Sequence, residues 1–204
     1  MQDSAYLKCI NPKCGLEYPI SSTNVQCEKG HVLDVKYKNK SSPNLKETFY
    51  QRRNSKGSIF NESGVWRFRE LLNFCQIDTE DNDECAKFLV SLDGAEGRQS
   101  KPYQMSKAAE FTGINKEGLW LQPEGYNPSG SFKDNGMATA VTHAKLVGAK
   151  KIVCASTGNT SASAGMFAAN EGIDCDVYIP AGQIAPGKLS QAYQFGAQII
   201  QVEG

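Results

Sequence analysis

From Gly118 to Val202 the chain alternates short apolar runs with stretches of helical spacing, and glycines punctuate the junctions. The apolar period predicts a helix over 132–146, with Met137, Ala140, Val141 and Ala144 at helical intervals and Gly148 at its end. It predicts a buried strand over 151–155, an alanine-rich helix over 161–170 closed by Gly172, and a strand over 176–179. A helix over 188–195 and a strand over 198–202 follow, and a short strand over 119–121 precedes the set. Short loops between such elements favour right-handed βαβ crossovers. The expected fold class is therefore α/β, an open parallel sheet with covering helices, in which ligands bind beyond the carboxyl ends of the strands.

Two loops are expected at that edge. One reads Asn127-Pro128-Ser129-Gly130-Ser131-Phe132-Lys133-Asp134-Asn135-Gly136, the other Ala155-Ser156-Thr157-Gly158-Asn159-Thr160-Ser161. A lysine that opens a helix after a Gly/Pro-rich loop is a primary amine held where an aldehyde can reach it, and the positive end of a helix dipole disfavours a cation there. Most lysines are only surface charges, and a Ser/Thr-rich strand-to-helix turn often does no more than cap its helix. Six small or polar residues in a row exceed the needs of a cap. Hydroxyls and N–H groups at a helix start suit a carboxylate or phosphate, and the Asn159 amide can donate to a phenolate-like oxygen. The pair of loops points to pyridoxal phosphate, with Lys133 bonding its aldehyde; Phe132 reads as packing, the alternative being a cofactor contact.

The rest of the chain is organised differently. Residues 1–37 are turn-rich and poor in core formers, and read as a small β-rich module. Within them, Cys9-x4-Cys14 and Cys27-x3-His31 supply four soft ligands that a tetrahedral zinc could clamp, a structural site in a zinc-ribbon-like module; the alternative is a ribbon without metal. Residues 38–99 are polar and irregular, with an amphipathic piece around Trp66, Phe68, Leu71 and Leu72, and read as a connecting region with a short helix. Residues 100–204 carry the α/β pattern. Cys75, Cys85, Cys154, Cys175 and His143 are assigned no chemistry. With 22 basic and 22 acidic residues the formal charge is zero, so neither nucleic acid nor an anionic membrane is an expected partner, and a small molecule is. The odd cysteine count, with no leader-like or membrane-spanning stretch, fits a cytoplasmic protein.

The residues from Gly118 onward resemble threonine synthase, a pyridoxal-phosphate enzyme of the group called fold type II. The likeness rests on Gly130-Ser131-Phe132-Lys133-Asp134, on the run from Cys154 to Ala164, on Gly187-Lys188-Leu189-Ser190-Gln191-Ala192, and on Ile200-Gln201-Val202-Glu203-Gly204. The segment from Ser63 to Leu72 is similar to the one that precedes the family's first motif. The resemblance implies that Lys133 is the catalytic and cofactor-bonding lysine and that Asn159 holds the cofactor ring oxygen. It implies that Thr157 holds the substrate carboxylate, and Ser156 and Thr160 the phosphate of O-phosphohomoserine. The implied reaction converts O-phospho-L-homoserine and water to L-threonine and phosphate. Where the family shows Glu-Gly-Asn-Thr-Pro-Leu, this chain reads Glu96-Gly97-Arg98-Gln99-Ser100-Lys101-Pro102, so the related cysteate synthase and threonine dehydratase remain open, as does a non-catalytic binding or regulatory module that retains the lysine loop. The chain reads as the amino-terminal portion of a longer, homodimeric enzyme whose remaining half supplies the cradle for the cofactor phosphate.

Overall fold

A computed structural model describes residues 5–38, 44–55, 57–72, 89–92, 94–97, 102–182 and 186–203. The module at the start is a three-stranded antiparallel sheet: β1 (Ala5–Cys9) lies between β2 (Glu17–Pro19) and β3 (Leu33–Tyr37). β1 alternates buried Ala5, Leu7 and Cys9 with half-buried Tyr6 and Lys8, as a strand with one covered face should. β2 and β3 bury almost nothing.

Four short helical pieces follow: α1 (Leu45–Asn54), α2 (Ile59–Glu62), a 3₁₀ turn at Trp66–Phe68, and α3 (Arg69–Leu72). This region does more than connect. Val65, Trp66, Leu89 and Val90 are buried in one cluster with Ala138, Val141 and Phe167. The Trp66 indole N–H donates to the Val90 carbonyl at 2.8 Å, and the Val90 N–H donates to Thr142 Oγ1 at 2.9 Å. Trp66 reads as half of an amphipathic stripe in sequence, whereas in the fold it fills a core that residues far along the chain complete. Cys75, Cys85 and the departure at 98–101 lie outside the described residues.

Next comes a two-stranded antiparallel ribbon, β4 (Tyr103–Gln104) with β5 (Trp120–Leu121), enclosing α4 (Ser106–Thr112). Here the expectation needs correction. The short strand at Trp120–Leu121 belongs to this exposed ribbon and not to the parallel sheet, so the lysine loop does not follow a sheet strand. Two residues, each about half exposed, bury too little for a central strand.

The α/β unit runs α5 (Lys133–Leu146), β6 (Lys151–Ala155), α6 (Asn159–Glu171), β7 (Asp174–Pro180), α7 (Pro186–Gln194) and β8 (Gln198–Val202). The three strands are parallel in the order β6-β7-β8. Cys175, Val177 and Ile179 of central β7 pack with Ala164 and Ala168 of α6 and with Leu189 and Ala192 of α7. Small residues let α6 lie close: a methyl group on Gly165 would come 3.3 Å from the Ala197 side chain. β6, expected to be buried, is exposed at alternate positions, with Val153 65% exposed, because among the described residues it is an outer strand. Its open side borders a groove of about 790 Å³, whose opposite wall includes Leu7, Val25, Val35 and Tyr37 of the amino-terminal module. No helix among the described residues is long and apolar enough to cross a membrane.

Candidate active site

Lys133 is the first residue of α5, half-buried, and its backbone N–H donates to Ser131 Oγ at 3.1 Å. The turn before it is closed by the Gly130 N–H donating to the Asn127 carbonyl at 2.7 Å, and Gly130 has φ 79°, a conformation that glycine adopts without strain. Lys133 Nζ sits 4.4 Å from the centroid of the Phe132 ring and makes no hydrogen bond or ion pair among the described residues. Phe132 is 54% exposed, so it is not the packing residue it was expected to be. An aromatic face under the amine holds it without engaging its nitrogen in a hydrogen bond.

Beside the lysine is a group that motif reading quoted without assigning a role. The Asp134 carboxylate is fully buried, and it accepts hydrogen bonds from the Ser129 N–H at 2.7 Å, the Ser129 hydroxyl at 2.5 Å and the Ser163 hydroxyl at 2.6 Å. Ser163 lies in the second turn of α6, so one carboxylate fastens the lysine loop to the helix that follows the second loop. Two serines within a few residues of an aspartate at a helix start give a local signal; the reach from Ser163 has none.

A second set of contacts anchors the loop from behind. Asn127 Oδ1 accepts from the Gly97 N–H at 2.7 Å, while its Nδ2 donates to Glu124 Oε2 at 2.8 Å; Asn135 Nδ2 donates to the same Glu124 oxygen at 3.1 Å. Asn135 Oδ1 is buried with no partner among the described residues. Glu96 is fully buried and accepts from the Ser91 hydroxyl and the Leu92 N–H. The Glu96-Gly97 segment thus touches the lysine loop directly. It also presses on Gly64 so closely that a Cβ there would lie 1.8 Å from the Gly97 carbonyl oxygen.

In the second loop the helix begins at Asn159, with Gly158 as the residue before its first turn. No side-chain hydroxyl caps this helix. Ser156 Oγ accepts from the Gly158 N–H at 3.2 Å, and the Ser161 hydroxyl donates to the Gly158 carbonyl at 2.6 Å, so both fold the loop rather than cap the helix. The side chains of Thr157, Asn159 and Thr160 make no hydrogen bond among the described residues. An uncapped helix start with unpaired hydroxyl and amide groups is a set of donors for an anion. With the unpaired amine of Lys133 on the neighbouring helix, this set fits an aldehyde cofactor with an anionic substrate beside it.

A family model described as pyridoxal-phosphate dependent enzyme matches residues 99–204. The chain belongs to that family. It is 38% identical over 197 residues to a threonine synthase of Methanocaldococcus jannaschii, covering 97% of this chain and 43% of that protein. A threonine synthase of Methanosarcina acetivorans is 36% identical over 200 residues, with 98% of this chain and 43% of the relative covered. One from Mycobacterium leprae is 60% identical over 98 residues, 48% of this chain and 26% of its own length. The likeness to threonine synthase carried by the motifs is thus met across nearly the whole chain, which corresponds to the amino-terminal part of these relatives. The chain spans less than half the length of the curated relatives it matches.

The four amino-terminal ligand candidates also come together. Cys9 and Cys27 are buried, Cys14 and His31 half-buried, and their donor atoms all lie within 4.8 Å of one another. Burial pushes the Cys27 thiol up, but the Lys29 and His31 backbone N–H groups and the neighbouring Cys9 and His31 side chains outweigh it, and the thiol is held at about 6. Cys154 and Cys175 are free thiols raised by burial, Cys175 to about 11, and so are unreactive.

Proposed function

We propose that this chain forms part of a pyridoxal-phosphate-dependent threonine synthase that converts O-phospho-L-homoserine and water to L-threonine and phosphate. The observation that carries the reading is the bridge from Asp134 to Ser163, which holds the lysine at the start of α5 against the helix opened by the second loop. The relatives' names give the product, threonine; the substrate is what the resemblance of the motifs implies.

Bound pyridoxal phosphate would act as the electron sink that stabilises negative charge at the substrate carbons. The residues of this chain divide the remaining work. Lys133 anchors the cofactor and, when free, takes and returns protons at the substrate α and β carbons. Asn159 donates its amide N–H to the cofactor ring oxygen. Thr157 and the uncapped N–H groups at the start of α6 hold the substrate carboxylate, while Ser156 and Thr160 bind the phosphate that leaves from the γ carbon. Water then adds at the β carbon. Asp134 keeps the two loops in register without touching substrate.

In the full-length protein, Lys133→Ala should lower threonine formation by about 10²–10⁴-fold or more while the circular dichroism spectrum stays native. Activity within tenfold of wild type overturns the assignment. The double change Ser156→Ala with Thr160→Ala removes two charge-assisted hydrogen bonds of about 1.5–3 kcal/mol each, and should raise KM for the phosphorylated substrate far more than it weakens cofactor binding. If cofactor affinity collapses instead, these hydroxyls face the cofactor and the substrate assignment fails.

A further inference from the structure

We propose that Cys9, Cys14, Cys27 and His31 bind one zinc ion, which forms the core of the amino-terminal module and takes no part in the reaction at Lys133. The donor atoms already have the spacing of a tetrahedral coordination shell. Cys27 Sγ lies 3.8 Å from Cys9 Sγ, 3.9 Å from Cys14 Sγ and 3.6 Å from His31 Nδ1. A tetrahedral zinc with Zn–S near 2.3 Å and Zn–N near 2.0 Å spaces two sulfurs roughly 3.8 Å apart and a sulfur and a nitrogen roughly 3.5 Å apart. A disulfide, in contrast, brings its sulfurs to about 2.05 Å, so none of these pairs is bonded.

The backbone is wound to aim these groups. Cys9 ends β1, and Cys14 closes a turn in which its N–H donates to the Asn11 carbonyl at 2.9 Å. Cys27 and His31 flank a second turn, closed by the Cys27 N–H to the His31 carbonyl and the Gly30 N–H to the Cys27 carbonyl, both at 2.8 Å. The Asn11 N–H points at Cys9 Sγ at 3.4 Å, and the Asn11 side-chain amide lies 3.1 Å from His31 Nε2. Thiolates with one imidazole select zinc among common divalent ions, and four protein donors leave no open position for substrate.

The module gives the second argument. Ala5, Leu7, Cys9 and Cys27 are its buried apolar residues among those described, and two of the four are ligands. Three short strands around so small a core need a cross-link to stay folded. Three thiols and an imidazole do not by themselves supply one; a shared cation does.

The full-length protein, purified without chelator, should contain one zinc per chain. After anaerobic exchange, cobalt(II) should give the visible bands of tetrahedral thiolate coordination, lost in Cys14→Ser and in His31→Ala but kept in Cys154→Ser. Should a ligand variant fail to fold, the wild type still decides: alkylation mapped by mass spectrometry should spare Cys9, Cys14 and Cys27 until a chelator is added, and label them at least tenfold faster afterwards. Wild-type protein with no stoichiometric metal and no cobalt spectrum overturns the proposal. So does zinc that survives both Cys14→Ser and His31→Ala, or iron recovered in its place. None of these readouts depends on turnover, so the proposal can fail while the assigned reaction stands, and the reverse.

Discussion

The module of β1–β3 and the unit of α5–α7 with β6–β8 are both built on small sheets, yet they bury different things. In the module the covered face of β1 carries Ala5, Leu7 and Cys9, and Cys27 completes it from a turn. In the α/β unit, Val177, Ile179, Leu189 and Phe167 lie in clusters fed by every helix. The difference teaches where each region stores its stability. The unit draws on apolar area, at about 1.5–3 kcal/mol for each large side chain fully buried. The module shows no such reserve among the described residues, and the proposed zinc site would supply the missing cross-link.

The sharpest way to break this contrast is a cavity in the α/β unit. Phe167 is fully buried among Val65, Trp66, Val90 and Val141, so Phe167→Ala should cost about 3–5 kcal/mol in urea denaturation followed by Trp fluorescence. Amide exchange in β1 should hardly change. If β1 loosens in step with α6, the two regions form one cooperative unit and the contrast is wrong.

A smaller effect probes the polar exception inside the unit. Asp134→Ala leaves the Ser129 N–H and the Ser129 and Ser163 hydroxyls without their acceptor, a loss of about 3 kcal/mol if each buried donor costs about 1 kcal/mol. Asp134→Asn keeps one acceptor oxygen and should cost less. A role in positioning predicts more than a stability loss: cofactor affinity of the full-length protein should fall in Asp134→Ala even at temperatures where the variant is fully folded. Equal affinity in folded Asp134→Ala and wild type would reduce this residue to a packing role.

These cases also show what the sequence made legible. The helices ending at Gly148 and Gly172 were readable because apolar period and terminal glycine agree, and both glycines have positive φ. The grouping of Cys9, Cys14, Cys27 and His31, whose donor atoms the fold gathers, was readable because cysteine and histidine spacing is a local property. The core role of Trp66 and Val90 was not, because their partners Phe167 and Val141 lie far along the chain. β5 was misplaced because apolar Leu119-Trp120-Leu121 looks like a sheet strand until the antiparallel partner Tyr103–Gln104 is seen. Asp134 escaped for the same reason as Trp66: half of its meaning is Ser163, twenty-nine residues away.

The smallest expected effect asks whether the two regions touch in solution. His143 lies in α5, on the wall of the groove that Leu7, Val35 and Tyr37 face from the module. Burial pushes its imidazole below the ordinary value of 6.5. A folded state that lowers a histidine favours the neutral ring, so the stability this group contributes is complete above pH 6.5 and is lost as pH falls through the lower folded value. The NMR titration midpoint of His143 should therefore sit below 6.5 in the intact protein. If the module supplies part of that burial, Cys14→Ser, which removes a proposed zinc ligand and should loosen the module, should move the midpoint back toward 6.5. A midpoint that stays low in the variant would assign the burial to α5 and β6 alone, and the groove would then separate two regions that fold without reference to each other.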